Sequence, residues 1–213
     1  RRNGLCFGPF KTGRRAIRSA GFACTADWRI SQMPAPRLYL TGASGTGTTT
    51  LGRALGARLG LPHVDTDDHF WLSSDPPFTH RRAPHERGAS LEAALGADGW
   101  IVTGACEGWG DAAISKVNGI VFLSLNRAQR LVRLRRREAA RFGPRILPGG
   151  DMVELHRGFL DWAMSYDDAD APGRSRHRQE AWLERQRAPV LRLDAVGAVN
   201  DMVQKVIEGL QIT

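Results

Sequence analysis

The chain has few of the residues that cross-link a protein or hold it in a membrane. Only three of its 213 residues are cysteines, and two of these, Cys6 and Cys24, lie within the first 32 residues. Because Cys106 is alone in the remainder, a disulfide framework is excluded there, which favours the reducing cytoplasm as the location. No apolar run approaches the ~20 residues that a membrane-spanning helix needs, so we expect no membrane partner.

Lysine is scarce beyond the first 32 residues, where only Lys116 and Lys205 occur. The net charge is +8, but residues 1–32 contain seven basic residues and one acid and therefore contribute +6. Residues 33–213 contain 23 basic and 21 acidic residues, which leaves them nearly balanced. We therefore expect no nucleic-acid binding outside the basic segment.

Residues 1–35 are expected to form a basic, disordered tail, followed by one domain over residues 36–213. The tail is rich in arginine and poor in acids, a composition typical of transit peptides. Basic arms of this kind also bind phosphate backbones. A third interpretation is that Met33 is the true start, because regular patterning begins directly after it. The sequence leaves all three open.

From residue 37 onward, short β-prone runs alternate with helical patterns. Leu51, Leu55 and Leu59 form one apolar stripe of a helix. The run 119–125 is almost continuously apolar, as the strands of parallel sheets are. Strands are predicted at 37–41, 63–64, 100–103, 119–125 and 189–193, and helices at about 49–59, 86–95, 127–141, 151–165, 178–186 and 198–209. This alternation predicts an α/β fold with a three-layer α/β/α parallel sheet, whose ligands bind at the carboxyl ends of the strands.

A glycine-rich turn joins the first predicted strand to the first helix. It fits the phosphate-binding pattern G-x-x-x-x-G-K-[ST], except that Thr48 stands where lysine is expected. In such a loop, backbone N–H groups and a helix N-terminus surround a phosphate, and the Thr49 hydroxyl would hold Mg²⁺. Since lysine is scarce, any replacement for the missing cation is expected to be an arginine. The predicted nucleotide-binding residues are Gly42, Ala43, Ser44, Gly45, Thr46, Gly47, Thr48, Thr49 and Thr50.

Two other interpretations of this turn were weighed. Residues 41–47, T-G-A-S-G-T-G, also look like the glycine-rich turn that follows Thr-Gly in short-chain dehydrogenases, in which Asp65 would contact a ribose. That family uses a Tyr-x-x-x-Lys pair, whereas Ala43 and Asp170 follow Tyr39 and Tyr166 at that spacing. The dehydrogenase interpretation therefore fails at its catalytic pair. The other alternative is a plain turn that binds no ligand.

With this loop, the chain from about Arg37 to its end resembles the small P-loop kinases of the adenylate kinase and shikimate kinase type. It also resembles bacterial proteins described as AAA-family ATPases. The resemblance is carried by the loop and by the acidic run 65–68 after the second strand. It implies a P-loop NTPase fold of the nucleoside monophosphate kinase type, with ATP and Mg²⁺ as cofactors. A nucleotide or a small hydroxy compound would accept the γ-phosphate.

The same resemblance implies roles for the acidic run. A catalytic carboxylate there would bind Mg²⁺ or orient the acceptor hydroxyl. Asp67 is the first candidate for this role and Asp65 is the second. Thr49 and Asp67 would be the metal ligands. The alternative is that these carboxylates belong to a solvated turn or a helix cap.

Arginines are concentrated on the helix after residue 126. Arg133, Arg137 and Arg141 share one face at i, i+4 and i+8. By family likeness Arg133 and Arg137 are expected to stabilise the transferred phosphoryl group, although a solvated basic face would show the same pattern. Residues 144–187, here named the lid segment, are expected to close over the site. Arg82, Arg87 and Glu107 are the predicted acceptor contacts.

Together these features predict a cytoplasmic ATP-dependent small-molecule kinase or ATPase. The alternative is a nucleotide-binding protein with weak or no catalysis, because Thr48 replaces the lysine of the loop.

Overall fold

The computed structural model describes residues 34–171 and 173–212. The interpretations of the basic tail concern residues 1–33 and lie outside the described residues. Within the described ranges, none of the helices combines the length and apolar character of a membrane span. The strands are β1 (Arg37–Gly42), β2 (His63–Asp65), β3 (Trp100–Thr103), β4 (Gly119–Ser124) and β5 (Val190–Asp194). The helices are α1 (Thr48–Leu59), α2 (Asp67–Phe70), α3 (Pro84–Ala94), α4 (Asp111–Ile114), α5 (Arg127–Phe142), α6 (Val153–Met164), α7 (Arg176–Leu183) and α8 (Val199–Gly209).

The five strands form one parallel sheet in the order β2-β3-β1-β4-β5. Its side chains alternate between two cores. Leu38 and Leu40 of β1 pack with residues of α1 and α8 on one face, whereas Tyr39 packs with residues of α3, α4 and α7 on the other. Helices thus cover both faces, which confirms the predicted three-layer α/β/α architecture. Because β1 lies in the centre, the loop after it opens in the middle of the carboxyl edge.

The helix boundaries follow local signals that the sequence contains. Asn126 caps α5 by accepting a 2.8 Å hydrogen bond from the N–H of Gln129, and α5 ends at Gly143. Gly60 ends α1 with φ +67°, a left-handed conformation that favours glycine. The two helices predicted in the lid segment are confirmed as α6 and α7, with slightly different ends. α2 and α4 were not predicted, because four residues are too few to show a period.

Candidate active site

The turn between β1 and α1 has the backbone shape of an anion cradle. Gly45 has φ +88° and Gly47 has φ +98°, both in the left-handed region. A Cβ on Gly45 would lie 2.9 Å from the carbonyl oxygen of Arg130, and one on Gly42 only 2.3 Å from that of Leu123. Glycine is therefore required for the turn to pack closely against α5 and β4.

The start of α1 leaves its backbone donors available to a ligand. Gly47 precedes the helix without a side-chain cap, and among the described residues the N–H groups of Gly47, Thr48 and Thr49 have no acceptor. Thr46 instead turns inward, and its hydroxyl donates to the carbonyl of Ala43 at 2.9 Å. Free N–H groups at a helix N-terminus attract anions. The loop is thus suited to an anionic group such as a phosphate.

Thr49 at the start of α1 contacts Asp65 at the end of β2. The Thr49 hydroxyl donates to Asp65 Oδ2 at 2.9 Å, and Asp65 Oδ1 accepts the N–H of Asp67 at 3.1 Å. No group of three or more His, Cys, Asp or Glu side chains within residues 34–171 and 173–212 could hold a metal. Mg²⁺ needs only one or two protein oxygens when phosphates and waters complete its shell. The structure places the Thr49 hydroxyl in contact with Asp65, whereas Asp67 lies at the start of α2. Metal binding by Thr49 and Asp67 stays a prediction.

Asp67 lies in the first turn of α2, within reach of two arginines. Although the side chain keeps access to solvent, the walls of the cleft desolvate it and raise the pKa of its carboxyl. The neighbouring Asp65 also raises this pKa, whereas Arg174 and Arg137 act to lower it. One arginine comes from α5 and the other from the lid segment, so charges from both elements act on Asp67. The region between these two arginines and the acidic run is here called the cleft.

Although they lie on one face of α5, Arg133 and Arg137 have different partners. The Nη1 and Nη2 of Arg133 donate to the carbonyls of Thr46 and Ala195 at 3.2 and 2.9 Å. Arg133 thereby joins the loop to the segment that follows β5. Arg137 donates through Nε to Glu138 at 2.8 Å, and its guanidinium lies over the ring of Phe159.

The lid segment contributes an arginine, Arg174, that the sequence patterns do not single out. Arg174 Nη2 donates to the Ser44 hydroxyl of the loop at 3.3 Å. Its guanidinium carbon lies 5.4 Å from the ring centre of Trp162 and 5.9 Å from that of Tyr166. The sequence signal, an arginine just before a helix, is too common to single it out.

Glu107 belongs to a polar network between the sheet and the lid segment. Its Oε1 accepts hydrogen bonds from the hydroxyls of Tyr39 and Thr41 and from the amide of Gln179, at 3.1, 3.2 and 2.8 Å. Gln179 Oε1 in turn accepts the Tyr166 hydroxyl at 2.7 Å. Burial raises the pKa of Tyr166 to about 12 and that of Tyr39 well above its usual value, so both phenols remain donors at neutral pH. One oxygen of Glu107 is thus engaged within the protein, and only Oε2 remains for the predicted acceptor contact.

The other predicted acceptor residues lie against α2. Arg82 Nε donates to the carbonyl of His69 at 3.1 Å, and Arg87 Nε donates to the carbonyl of Arg82 at 2.7 Å. The guanidinium of Arg87 lies 4.1 Å from the ring centre of Phe70. The structure therefore brings both arginines beside the helix that contains Asp67.

Comparisons with known proteins agree with this geometry. Residues 38–143 match the family described as AAA domain. The chain is 41% identical over 174 residues to the uncharacterized protein YqaC of Bacillus subtilis (strain 168), which covers 81% of this chain and 96% of that protein. It is 30% identical over 99 residues to shikimate kinase 2 of Sodalis glossinidius (strain morsitans). This alignment covers 42% of this chain and 48% of that protein.

A solved structure shows the same fold. The shikimate kinase from Acinetobacter baumannii, in complex with shikimate, aligns with a TM-score of 0.50 at 19% identity, over 83% of this chain and 93% of that one. The solved structure shows that the chain has the fold of the P-loop small-molecule kinases. The match over nearly the whole length of YqaC shows that the chain belongs to the same family as YqaC.

Proposed function

We propose that this protein is a Mg²⁺-dependent phosphotransferase that binds ATP at residues 42–49 and transfers the γ-phosphate to a small hydroxy acceptor. The observation that carries the proposal is the hydrogen bond between Thr49 and Asp65. It joins the phosphate loop to the acidic end of β2 at the point where a nucleotide-bound cation needs oxygen ligands. The proposal includes a cytoplasmic location, where ATP is available and Cys106 stays reduced.

The residues of the cleft suit phosphoryl transfer, which depends mainly on positioning and on charge neutralisation. The acceptor oxygen forms a bond to the γ-phosphorus, the bond from that phosphorus to the β–γ bridging oxygen breaks, and ADP leaves. Asp67 borders the cleft and, with a raised pKa, is a suitable group to orient the acceptor hydroxyl and take its proton. Mg²⁺, when bound by Thr49 and Asp65, supplies neutralising charge for the phosphates.

The acceptor side of the cleft favours an anionic compound. Arg82 and Arg87 stand beside α2, and among the described residues their terminal NH₂ groups have no protein partner. A planar guanidinium suits a carboxylate or a phosphate. The matched structure named as a shikimate kinase in complex with shikimate supports a test of small hydroxy acids.

A second candidate function is nucleotide binding with little or no turnover. The observation that favours it is Thr48, since the loop lacks the lysine that normally contacts the terminal phosphates.

Calorimetry with ATP and Mg²⁺, followed by a screen for γ-phosphate transfer, separates the two functions. The screen should contain nucleoside monophosphates and small hydroxy acids. We expect Mg²⁺-dependent ATP binding and transfer to at least one acceptor. Tight binding without any transfer would favour the second function, and no ATP binding at all would exclude both.

A further inference from the structure

The loop lacks one positive charge, and no described lysine supplies it. Thr48 occupies the position of the lysine. Lys116 donates to Glu92 at 2.6 Å, on the side of the sheet covered by α3 and α4. Lys205 is exposed on α8. A cation for the terminal phosphates must therefore come from an arginine.

Most arginines near the loop already have other partners. Arg130 is fully buried, where it contacts Asp167 and donates to the carbonyl of Ala163 at 3.1 Å. Both terminal nitrogens of Arg133 are bound to carbonyls. Arg141 lies 4.8 Å from the ring centre of Phe78, in the loop between α2 and α3. These three arginines are committed to the fold.

Arg130 also has a buried Nε without a partner among the described residues, and Arg137 contacts Glu138 and Phe159 but not the loop. Arg174 differs from both because it contacts a side chain of the loop while its guanidinium is only partly satisfied. It touches the loop at Ser44 through Nη2, and its Nε is buried without a partner among the described residues. A buried donor that lacks an acceptor destabilises the protein until a ligand supplies one. The guanidinium lies beside the rings of Trp162 and Tyr166. Among the described residues its Nη1 has no hydrogen-bond partner, so this nitrogen remains as a donor for a ligand in the loop.

The position of Arg174 is stabilised by a polar network that runs from Tyr166 through Gln179 to the sheet. The Tyr166 ring also lies 5.2 Å from the guanidinium carbon of Arg130, and the Tyr166 hydroxyl is bonded to Gln179. Gln179 is in turn bonded to Thr41 of β1 and to Glu107, at 2.7 and 2.8 Å. Arg174 is thus connected to β1, the strand that leads into the loop, although it lies 130 residues beyond Ser44 in the chain.

We propose that Arg174 takes over the task of the missing lysine: its guanidinium binds the terminal phosphate oxygens of ATP and stabilises the charge on them during transfer. This inference rests on the proposed function. Arg174 is then a catalytic residue of the lid segment, and Tyr166, Gln179 and Glu107 are positioning residues that act through it. A guanidinium fork is suited to this task because it donates two hydrogen bonds to one phosphate.

The test combines removal of Arg174 with a transplanted lysine. Arg174→Ala should lower kcat by at least ~100-fold and weaken ATP binding more than ADP binding, since only ATP has the terminal phosphate. In the Arg174→Ala background, Thr48→Lys should raise kcat by at least ~10-fold, because the lysine restores the missing charge. In the wild-type background the same Thr48→Lys change should alter kcat by less than about threefold. Arg157→Ala is the matched control, because Arg157 is exposed on α6 and its one ion pair within residues 34–171 and 173–212 is with Glu154.

A double-mutant cycle tests the positioning role. Tyr166→Phe keeps the ring but removes the hydrogen bond to Gln179, and it should lower kcat of the wild type without lowering it further in the Arg174→Ala background. Unchanged kcat and ATP-to-ADP preference in Arg174→Ala would overturn the inference. The inference would also be overturned if Thr48→Lys raised kcat of the wild type by the same factor as it raises kcat of Arg174→Ala. If the wild type transfers no phosphate but binds ATP, the affinity ratio still tests Arg174, whereas absence of ATP binding to the wild type refutes the proposed function itself.

Discussion

The hydroxyl of Thr49 donates a 2.9 Å hydrogen bond to Oδ2 of Asp65. The two residues belong to the start of α1 and the end of β2, and β3 lies between the strands that lead to them. Their contact forms because parallel strands bring their carboxyl ends to one edge of the sheet. Two side-chain oxygens therefore lie beside the loop, where the proposed Mg²⁺ would need ligands.

Asp65→Asn should raise the Mg²⁺ concentration needed for half-maximal ATP binding by roughly tenfold, because an amide oxygen is a weaker ligand than a carboxylate. Asp67→Asn is the matched variant and should lower kcat with a smaller change in the Mg²⁺ requirement. Calorimetric titrations of ATP at several Mg²⁺ concentrations measure the difference. If Asp67→Asn rather than Asp65→Asn shifts the requirement, the metal pair is Thr49 with Asp67.

Gly45→Ala should abolish ATP binding, because it forces a Cβ into a left-handed backbone 2.9 Å from the Arg130 carbonyl. The control is Gly60→Ala, which also places alanine at positive φ but meets no atom within 4 Å. That variant should lose about 1 kcal/mol of stability and keep its affinity for ATP. Calorimetry and thermal unfolding of both proteins give the comparison. Normal ATP binding by a folded Gly45→Ala variant would show that the loop is not the nucleotide site.

Arg130→Met should lower the free energy of unfolding by about 3 kcal/mol, because it removes a fully buried cation from its contacts with Asp167 and Ala163. The exposed pair of Arg127 with Asp168, 3.3 Å apart, is the matched control. Arg127→Met should change stability by less than about 0.5 kcal/mol. Urea denaturation measures both, and equal losses would contradict the structural role of Arg130.

Alkaline conditions should weaken the fold through its two tyrosines. The pKa of Tyr166 is raised to about 12 in the folded protein, whereas an unfolded chain titrates near ~10. The folded state then holds its proton more tightly, so this stabilisation is complete below pH ~10 and is lost as the pH rises toward ~12. Between pH ~9.5 and ~11.5 the wild type should lose more unfolding free energy than Tyr166→Phe. Parallel curves for the two proteins would contradict this assignment.

Much of the fold could be predicted from local pattern. The strands are short apolar runs with turns at their ends, and the glycine spacing at residues 42–47 identifies the loop directly. The partners within the site could not be predicted, because they depend on long-range contacts. The three acids within residues 65–68 do not reveal that Asp65 accepts the hydrogen bond from Thr49. Arg174 and Ser44 are 130 residues apart, and the Glu107 network needs Gln179, 72 residues further along the chain.

The arginines of α5 show the same limit. The helical period correctly places Arg133, Arg137 and Arg141 at equivalent positions, but periodicity does not determine the partner of each side chain. Arg133 meets two carbonyls, and Arg141 meets the ring of Phe78. The cation that contacts the loop side chain Ser44 comes instead from the lid segment.

The central claim is that the loop at residues 42–49 binds ATP and that the protein passes its γ-phosphate to a small acceptor. The most direct measurement uses ATP labelled in the γ-phosphate, Mg²⁺, and a panel of small hydroxy acids and nucleoside monophosphates, with Gly45→Ala as the blank. We predict that label appears on an acceptor with one ADP formed for each phosphate transferred, and that the blank transfers none. Wild-type protein that matches the blank for every acceptor would contradict the account.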